Sequence, residues 1–167
     1  MKITLGLGRH SLVWAMIMVC GSLFAGPKVA VIGDSYSAYN GYVPVGNPAQ
    51  YGTSYNGVTG VSQMWWHQVI SGLDGELDVC EGWSGSFVSF YNATVGGGYA
   101  VHKSFIHADR IGHIAEDADV VMILGGTNDA WNETPLGDFV YYDTVWQWSD
   151  AEKKQFRPSY AYLIKSI

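Results

Sequence analysis

Cysteine is scarce in this chain: Cys20 and Cys80 are the only two among 167 residues. No set of histidines, cysteines and acids shows a metal-ligand spacing. Basic residues are also few, nine against fifteen acidic ones, for a formal charge of −6. That balance argues against nucleic acid or an anionic membrane surface as a partner. Internal repeats and low-complexity runs are missing. One long apolar run exists, Leu12 to Cys20, and it is too short to span a bilayer.

That run has a different reading. Lys2 and Arg9 precede it, and small residues follow up to Ala25 and Gly26. A positive start, a short apolar stretch and a small-residue exit describe a secretory signal peptide over residues 1–25. The expected destination is secreted or periplasmic, with no stable membrane insertion after cleavage. A lipoprotein-type cut before Cys20 is the alternative, and bulky Val19 speaks against it. Cleavage after Ala25 leaves 142 residues, enough for one domain over 26–167. Seven basic residues then face fifteen acidic ones, a balance of −8. Cys80 would be the sole cysteine, so no internal disulfide can form.

Residues 29–33 read Val-Ala-Val-Ile-Gly, and Asp34, Ser35, Tyr36 and Ser37 follow. Four apolar, mostly β-branched residues predict a buried strand. Gly33 lets the chain turn sharply at its end, which brings Ser35 to the sheet rim, where a nucleophile belongs. The plain alternative is an ordinary polar turn. A second stretch repeats the pattern: Asp119 to Leu124 reads as a strand, followed by Gly125, Gly126, Thr127, Asn128 and Asp129. Between them, Leu77 to Cys80 reads as a weaker strand leading into Gly82, Trp83, Ser84, Gly85 and Ser86. Strands that all end in glycine-rich polar loops suggest the carboxyl edge of a parallel sheet, where open α/β sheets bind their ligands.

Together these segments resemble the SGNH, or GDSL-type, hydrolase superfamily. Its first block, Gly-Asp-Ser, is matched at Gly33–Asp34–Ser35. Its third, Gly-x-Asn-Asp, is matched at Gly126–Thr127–Asn128–Asp129. Its second supplies a glycine, here Gly85, with Gly82 as competitor. The resemblance covers about residues 28–167. It implies a three-layer α/β/α, flavodoxin-like fold with a parallel sheet, and a serine esterase or acylhydrolase that works through an acyl-serine. Ser35 would be the nucleophile. The Ser35 and Gly85 amides and the Asn128 side chain would form the oxyanion hole. Asp34, Gly126 and Asp129 would support the turns. Neither cofactor nor metal is implied, and the partner would be a small-molecule or carbohydrate ester.

The superfamily's Asp-x-x-His block has no counterpart. Leu7, Met64, Tyr99, Ser104 and Arg110 stand three places before His10, His67, His102, His107 and His113, and none is acidic. All five histidines also precede the third block. The expectation is therefore a chain cut short of its catalytic His and Asp, with later strands missing. Its last residues, ending on apolar Ile167, fit that expectation. Three alternatives stand beside hydrolysis: acyl transfer to a sugar, carbohydrate binding without catalysis, and an inert fragment.

The expected elements are a strand at 28–33, a helix at about 61–72, a strand at 77–80, a helix at about 104–115, a strand at 119–124 and a helix at about 151–166. Alternation implies a parallel sheet with helices on both faces. Right-handed crossovers, with the resemblance, give the order 2-1-3. His67 is expected in the first helix, His107 and His113 in the second. Ser149 and Glu152 spell a capping box that opens the third. Three loops are rich in aromatics or glycine: residues 38–60 with Tyr39, Tyr42, Tyr51 and Tyr55, residues 91–99, and residues 131–148 with Trp131, Tyr141, Tyr142, Trp146 and Trp148. Their rings would either face substrate or pack over a small core.

Overall fold

A computed structural model describes residues 25–53, 57–90, 103–139, 141 and 147–167. The leader call, the 91–99 loop, His10, His102, Tyr55, Tyr142 and Trp146 lie outside the described residues.

Three parallel strands form the sheet: β1 (Lys28–Gly33), β2 (Glu76–Gly82) and β3 (Val120–Leu124), in the order β2-β1-β3. This α/β sheet has the expected 2-1-3 order. Val29, Ala30, Val31 and Ile32 are all fully buried, as befits a central strand covered on both faces. Alternation along β1 divides the core. Val29 and Val31 pack with Met64, Trp66, Ile70 and Cys80 on one face. Ile32 packs with Val88, Phe105, Ile106 and Leu163 on the other. The strands finish level, with Gly33 opposite Gly82 on one side and Leu124 on the other. Three loops therefore leave one edge side by side.

The helices depart from expectation in instructive ways. The 61–72 segment is broken at Met64, which is buried and extended (φ −70°, ψ 137°) between a 3-10 turn at Val61–Gln63 and α1 (Trp65–Gly72). Trp66 and Ile70, four apart, form the buried face of α1. The 104–115 segment is mostly not helical: α2 spans only Ala108–Ile111. The Phe105 amide bonds the Phe87 carbonyl, and the Ser104 hydroxyl bonds the Val88 carbonyl, so that backbone is committed elsewhere. His107 is thus the cap of α2, its Nδ1 accepting the Asp109 amide, and His113 lies beyond it.

A further short helix, α3 (Thr127–Trp131), follows β3 and was not expected. The capping box does form. Glu152 accepts the Ser149 amide at 2.7 Å, and the Ser149 hydroxyl accepts the Glu152 amide at 3.2 Å. It opens only a 3-10 turn (Glu152–Lys154), because Gln155 is extended. The long helix, α4, runs Phe156–Ser166 with Pro158 in its first turn, where a missing N–H costs no helical bond. Among the described residues, no helix is long and apolar enough to cross a membrane.

The first aromatic loop packs. Tyr39 and Tyr51 lie on the core, and Tyr42 meets the Trp66 ring at 5.7 Å. The third loop is mixed. Trp148 meets Tyr162 edge-on at 5.4 Å, whereas Trp131 is 83% exposed and Tyr141 is 65% exposed.

Candidate active site

The turn after β1 allows no side chain at Gly33. A Cβ there would come within 2.6 Å of the Ser37 Cβ and 3.0 Å of the Leu124 carbonyl oxygen. Asp34 follows, fully buried. Its amide donates to the Leu124 carbonyl at 3.2 Å, which ties the turn to the end of β3. Its Oδ1 accepts the Tyr36 amide at 3.0 Å and caps a 3-10 turn over Ser35–Ser37. Among the described residues its Oδ2 is sealed from water with no hydrogen bond of good geometry. Burial pushes the Asp34 carboxyl above the usual range, and the Tyr36 amide and the Thr127 hydroxyl offset only part of that rise. Ser35, at the start of the turn, is partly exposed.

The two glycines of the second loop have separate jobs. A Cβ on Gly82 would lie 2.8 Å from the Ser37 carbonyl group, so Gly82 serves the close packing of β2 on the serine turn. Gly85 has φ +77° and room for a Cβ, whose nearest neighbour would be Lys103 Nζ at 3.9 Å. It provides the left-handed step of the loop.

Next to Gly85, Ser86 is fully buried and joins the blocks. Its hydroxyl donates to the Gly33 carbonyl at 3.2 Å, and its carbonyl accepts Asn128 Nδ2 at 2.8 Å. The Asn128 amide group has a second N–H to offer. Gly126, at φ +108°, turns the chain into α3. Asp129 fixes that helix to the second loop. Its carboxylate accepts the Val88 amide at 2.8 Å, the Ser89 amide at 3.1 Å and the Ser89 hydroxyl at 2.6 Å. Hydrogen bonds thus join Gly33, Ser86 and Asn128 along one edge, with Ser35 two residues after the first and Gly85 next to the second. Asp34, Gly126 and Asp129 brace its turns.

A buried ion pair under this edge was not foreseen. Arg110 and Glu81 are 2% and 1% exposed, with Nε 3.6 Å from Oε2. The guanidinium donates to the carbonyls of Gly33 at 3.0 Å, Lys103 at 2.6 Å and Glu81, and lies over the Phe105 ring. Burial lowers the Arg110 pKa to about 10, and the Glu81 carboxylate opposes that fall. His113 Nδ1 sits 2.6 Å from Glu81 Oε1. Sequence offered only one hint, an arginine in a chain poor in basic residues. His67 bonds the Ser71 hydroxyl at 3.3 Å, one turn along α1. Among the described residues no group of three or more His, Cys, Asp or Glu is placed to hold a metal.

Residues 27–167 match the family described as GDSL-like lipase/acylhydrolase. The crystal structure of a candidate GDSL-like lipase from Bacteroides uniformis is 33% identical and superposes with a TM-score of 0.71, covering 84% of this chain and 64% of that one. A second, from Bacteroides ovatus, is 32% identical with a TM-score of 0.67, covering 83% and 64%. The chain therefore spans somewhat under two thirds of the length of these relatives. No curated protein matches it. Sequence blocks, sheet order and solved relatives agree that the chain belongs to the GDSL-like lipase/acylhydrolase family.

Proposed function

We propose that this protein is an exported serine esterase that cleaves acyl esters, carried on a carbohydrate or another small alcohol, through an acyl-serine. The observation that carries this reading is the pair of hydrogen bonds made by Ser86, one given by its hydroxyl and one accepted by its carbonyl. It holds the turn of Ser35 and the side chain of Asn128 to one buried residue. Ser35 Oγ attacks the ester carbonyl. A bond forms to carbon, and the carbonyl electrons move onto oxygen. The Ser35 amide, the Gly85 amide and the second N–H of Asn128 hold that charge, and a donor of this type is worth roughly 3 kcal/mol. On collapse the alkoxide leaves and takes up the serine proton, and water then releases the acid. Neither cofactor nor metal enters this scheme.

None of the five histidines carries the family's Asp-x-x-His spacing. This chain alone should therefore turn over activated esters weakly, because loss of a triad base costs on the order of a million-fold. Trp131 supports a ring-bearing alcohol. It lies one turn after Asn128 on α3, largely exposed, and offers a stacking face for a sugar. Residues 1–25 serve as the export signal, and the mature protein works without a nucleic-acid or membrane partner.

The test is p-nitrophenyl acetate hydrolysis, together with the intact mass after treatment with a fluorophosphonate. Residual turnover and a single adduct that both vanish in Ser35→Ala support the reading. Equal rates together with an adduct that persists in Ser35→Ala defeat it.

A further inference from the structure

Arg110 does more than pair with Glu81. Its Nε stays 3.6 Å from Glu81 Oε2, and among the described residues that nitrogen makes no hydrogen bond. The two outer nitrogens go to backbone. Nη1 donates to the Lys103 carbonyl at 2.6 Å, and Nη2 to the carbonyls of Gly33, at 3.0 Å, and of Glu81. A guanidinium present for charge pairing alone would set two N–H groups on its carboxylate. Here the fork grips the ends of β1 and β2 instead. Stability gives little reason for that choice, because apolar residues of similar volume often replace a buried ion pair without loss.

The Gly33 carbonyl is the informative end of the grip. It accepts the Trp83 amide at 3.1 Å, the Ser86 hydroxyl at 3.2 Å and Arg110 Nη2 at 3.0 Å. Of these donors only Arg110 is charged, and a charge-assisted bond is roughly twice as strong as a neutral one. The peptide unit that begins at this carbonyl is planar. Its other end, the Asp34 amide, donates to the Leu124 carbonyl at 3.2 Å. One rigid plane is therefore held from α2 and the second loop on one side and from β3 on the other. Only the two backbone torsions of Asp34 separate that plane from the Ser35 amide.

We infer that Arg110 is a positioning residue for Ser35: through the Gly33 carbonyl it fixes the plane from which the serine amide and hydroxyl are aimed. The inference rests on the reading of Ser35 as nucleophile. Arg110 is 2% exposed and touches no substrate, so it acts through the backbone alone. Its loss leaves the Gly33 carbonyl with two neutral donors and frees the plane to rock. A misplacement of about 1 Å at a reacting group costs on the order of 100-fold in rate.

Comparing Arg110→Met with the double variant Arg110→Met/Glu81→Leu separates aim from stability. The double variant removes both buried charges, leaves half-exposed His113 to water, and still gives the Gly33 carbonyl no guanidinium. The rate of fluorophosphonate labelling is read by intact mass, at a temperature where urea melts show each protein folded. Hydrogen exchange of the Asp34 and Tyr36 amides is followed beside it. Labelling should fall about 10- to 100-fold in both variants. Relative to the amides of Ala30 and Ile32, those of Asp34 and Tyr36 should exchange about tenfold faster. A rate that returns to the parent's in the double variant overturns the inference, since stability then accounts for Arg110. If the double variant does not fold, Arg110→Lys takes its place. Its ammonium keeps a charge beside Glu81, but one nitrogen cannot span the carbonyls that the fork reaches. Labelling should again slow by about tenfold, and a parent rate there overturns the inference. Parent-like labelling that vanishes in Ser35→Ala defeats the inference alone. An adduct that persists in Ser35→Ala defeats the nucleophile reading, and the inference with it.

Discussion

Asn128 donates its side-chain N–H to the backbone carbonyl of Ser86 across 2.8 Å, while the Ser86 hydroxyl reaches the Gly33 carbonyl at 3.2 Å. The amide of Asn128 is thereby held by backbone, so its second N–H points in a fixed direction. Such pre-set donors cost no reorganisation when charge develops.

That arrangement separates two kinds of loss. Asn128→Ala should lower residual kcat by a factor on the order of 100 and shift stability by only about 1 kcal/mol, the usual net worth of one hydrogen bond. Ser86→Ala keeps its carbonyl and loses only the bond to Gly33. It should cost about 1 kcal/mol, or slightly more because the Ser86 side chain is buried, with a milder fall in rate. Thermal melts beside p-nitrophenyl acetate rates distinguish the two. A large rate loss in Ser86→Ala and none in Asn128→Ala would reverse the assigned roles.

The Arg110–Glu81 pair should behave as a buried ion pair. Arg110→Met leaves the Glu81 carboxylate, 1% exposed, with His113 but no guanidinium beside it. The expected cost is about 3 to 5 kcal/mol. Adding Glu81→Leu to Arg110→Met should recover part of it, since removing both charges spares the desolvation of either. Urea melts of the single and double variants give the coupling. A double variant no more stable than Arg110→Met would show that the carbonyl bonds of Arg110, not the ion pair, dominate.

Asp34 predicts a pH dependence of definite sign. Burial raises its carboxyl above the unfolded value. The folded state therefore prefers the protonated form, and that contribution is complete below the ordinary carboxylate pKa. It is lost as pH rises through the raised one. Asp34→Asn should thus gain stability relative to the parent as pH goes from about 4 toward neutral. Melting temperatures of both proteins across that window are the measurement. A difference that is flat with pH, or that narrows toward neutral, contradicts the assignment.

Cys80 is 1% exposed, and burial pushes its thiol up to about 12. In a Cys20→Ala background the native protein should resist iodoacetamide at pH 8, because the thiolate is the reactive form. Denaturant should make it react at once. Rapid native labelling would mean that β2 opens easily beneath α1.

Much of this was legible in the chain itself. An unbroken, mostly β-branched apolar run at Val29–Ile32 reads as a buried strand, and glycine followed by small polar residues marks its end. The same local grammar placed β3. With the family blocks, it named Ser35, Gly85 and Asn128 as candidates. Helix extent was not legible, because periodicity shows a face and not a boundary. Met64 and Gln155 break their helices by adopting extended backbone. Phe105 gives its backbone N–H to Phe87 instead of to a helix, and Ser104 its side-chain hydroxyl to Val88. Tertiary structure alone assigned Gly82 to packing and Gly85 to the turn, since the two differ only in what surrounds them. It alone brought Arg110 under Gly33 and Ser86 between Gly33 and Asn128. Contacts spanning 77, 53 and 42 residues leave no periodic trace in a sequence, because they depend on where the sheet brings three loops together.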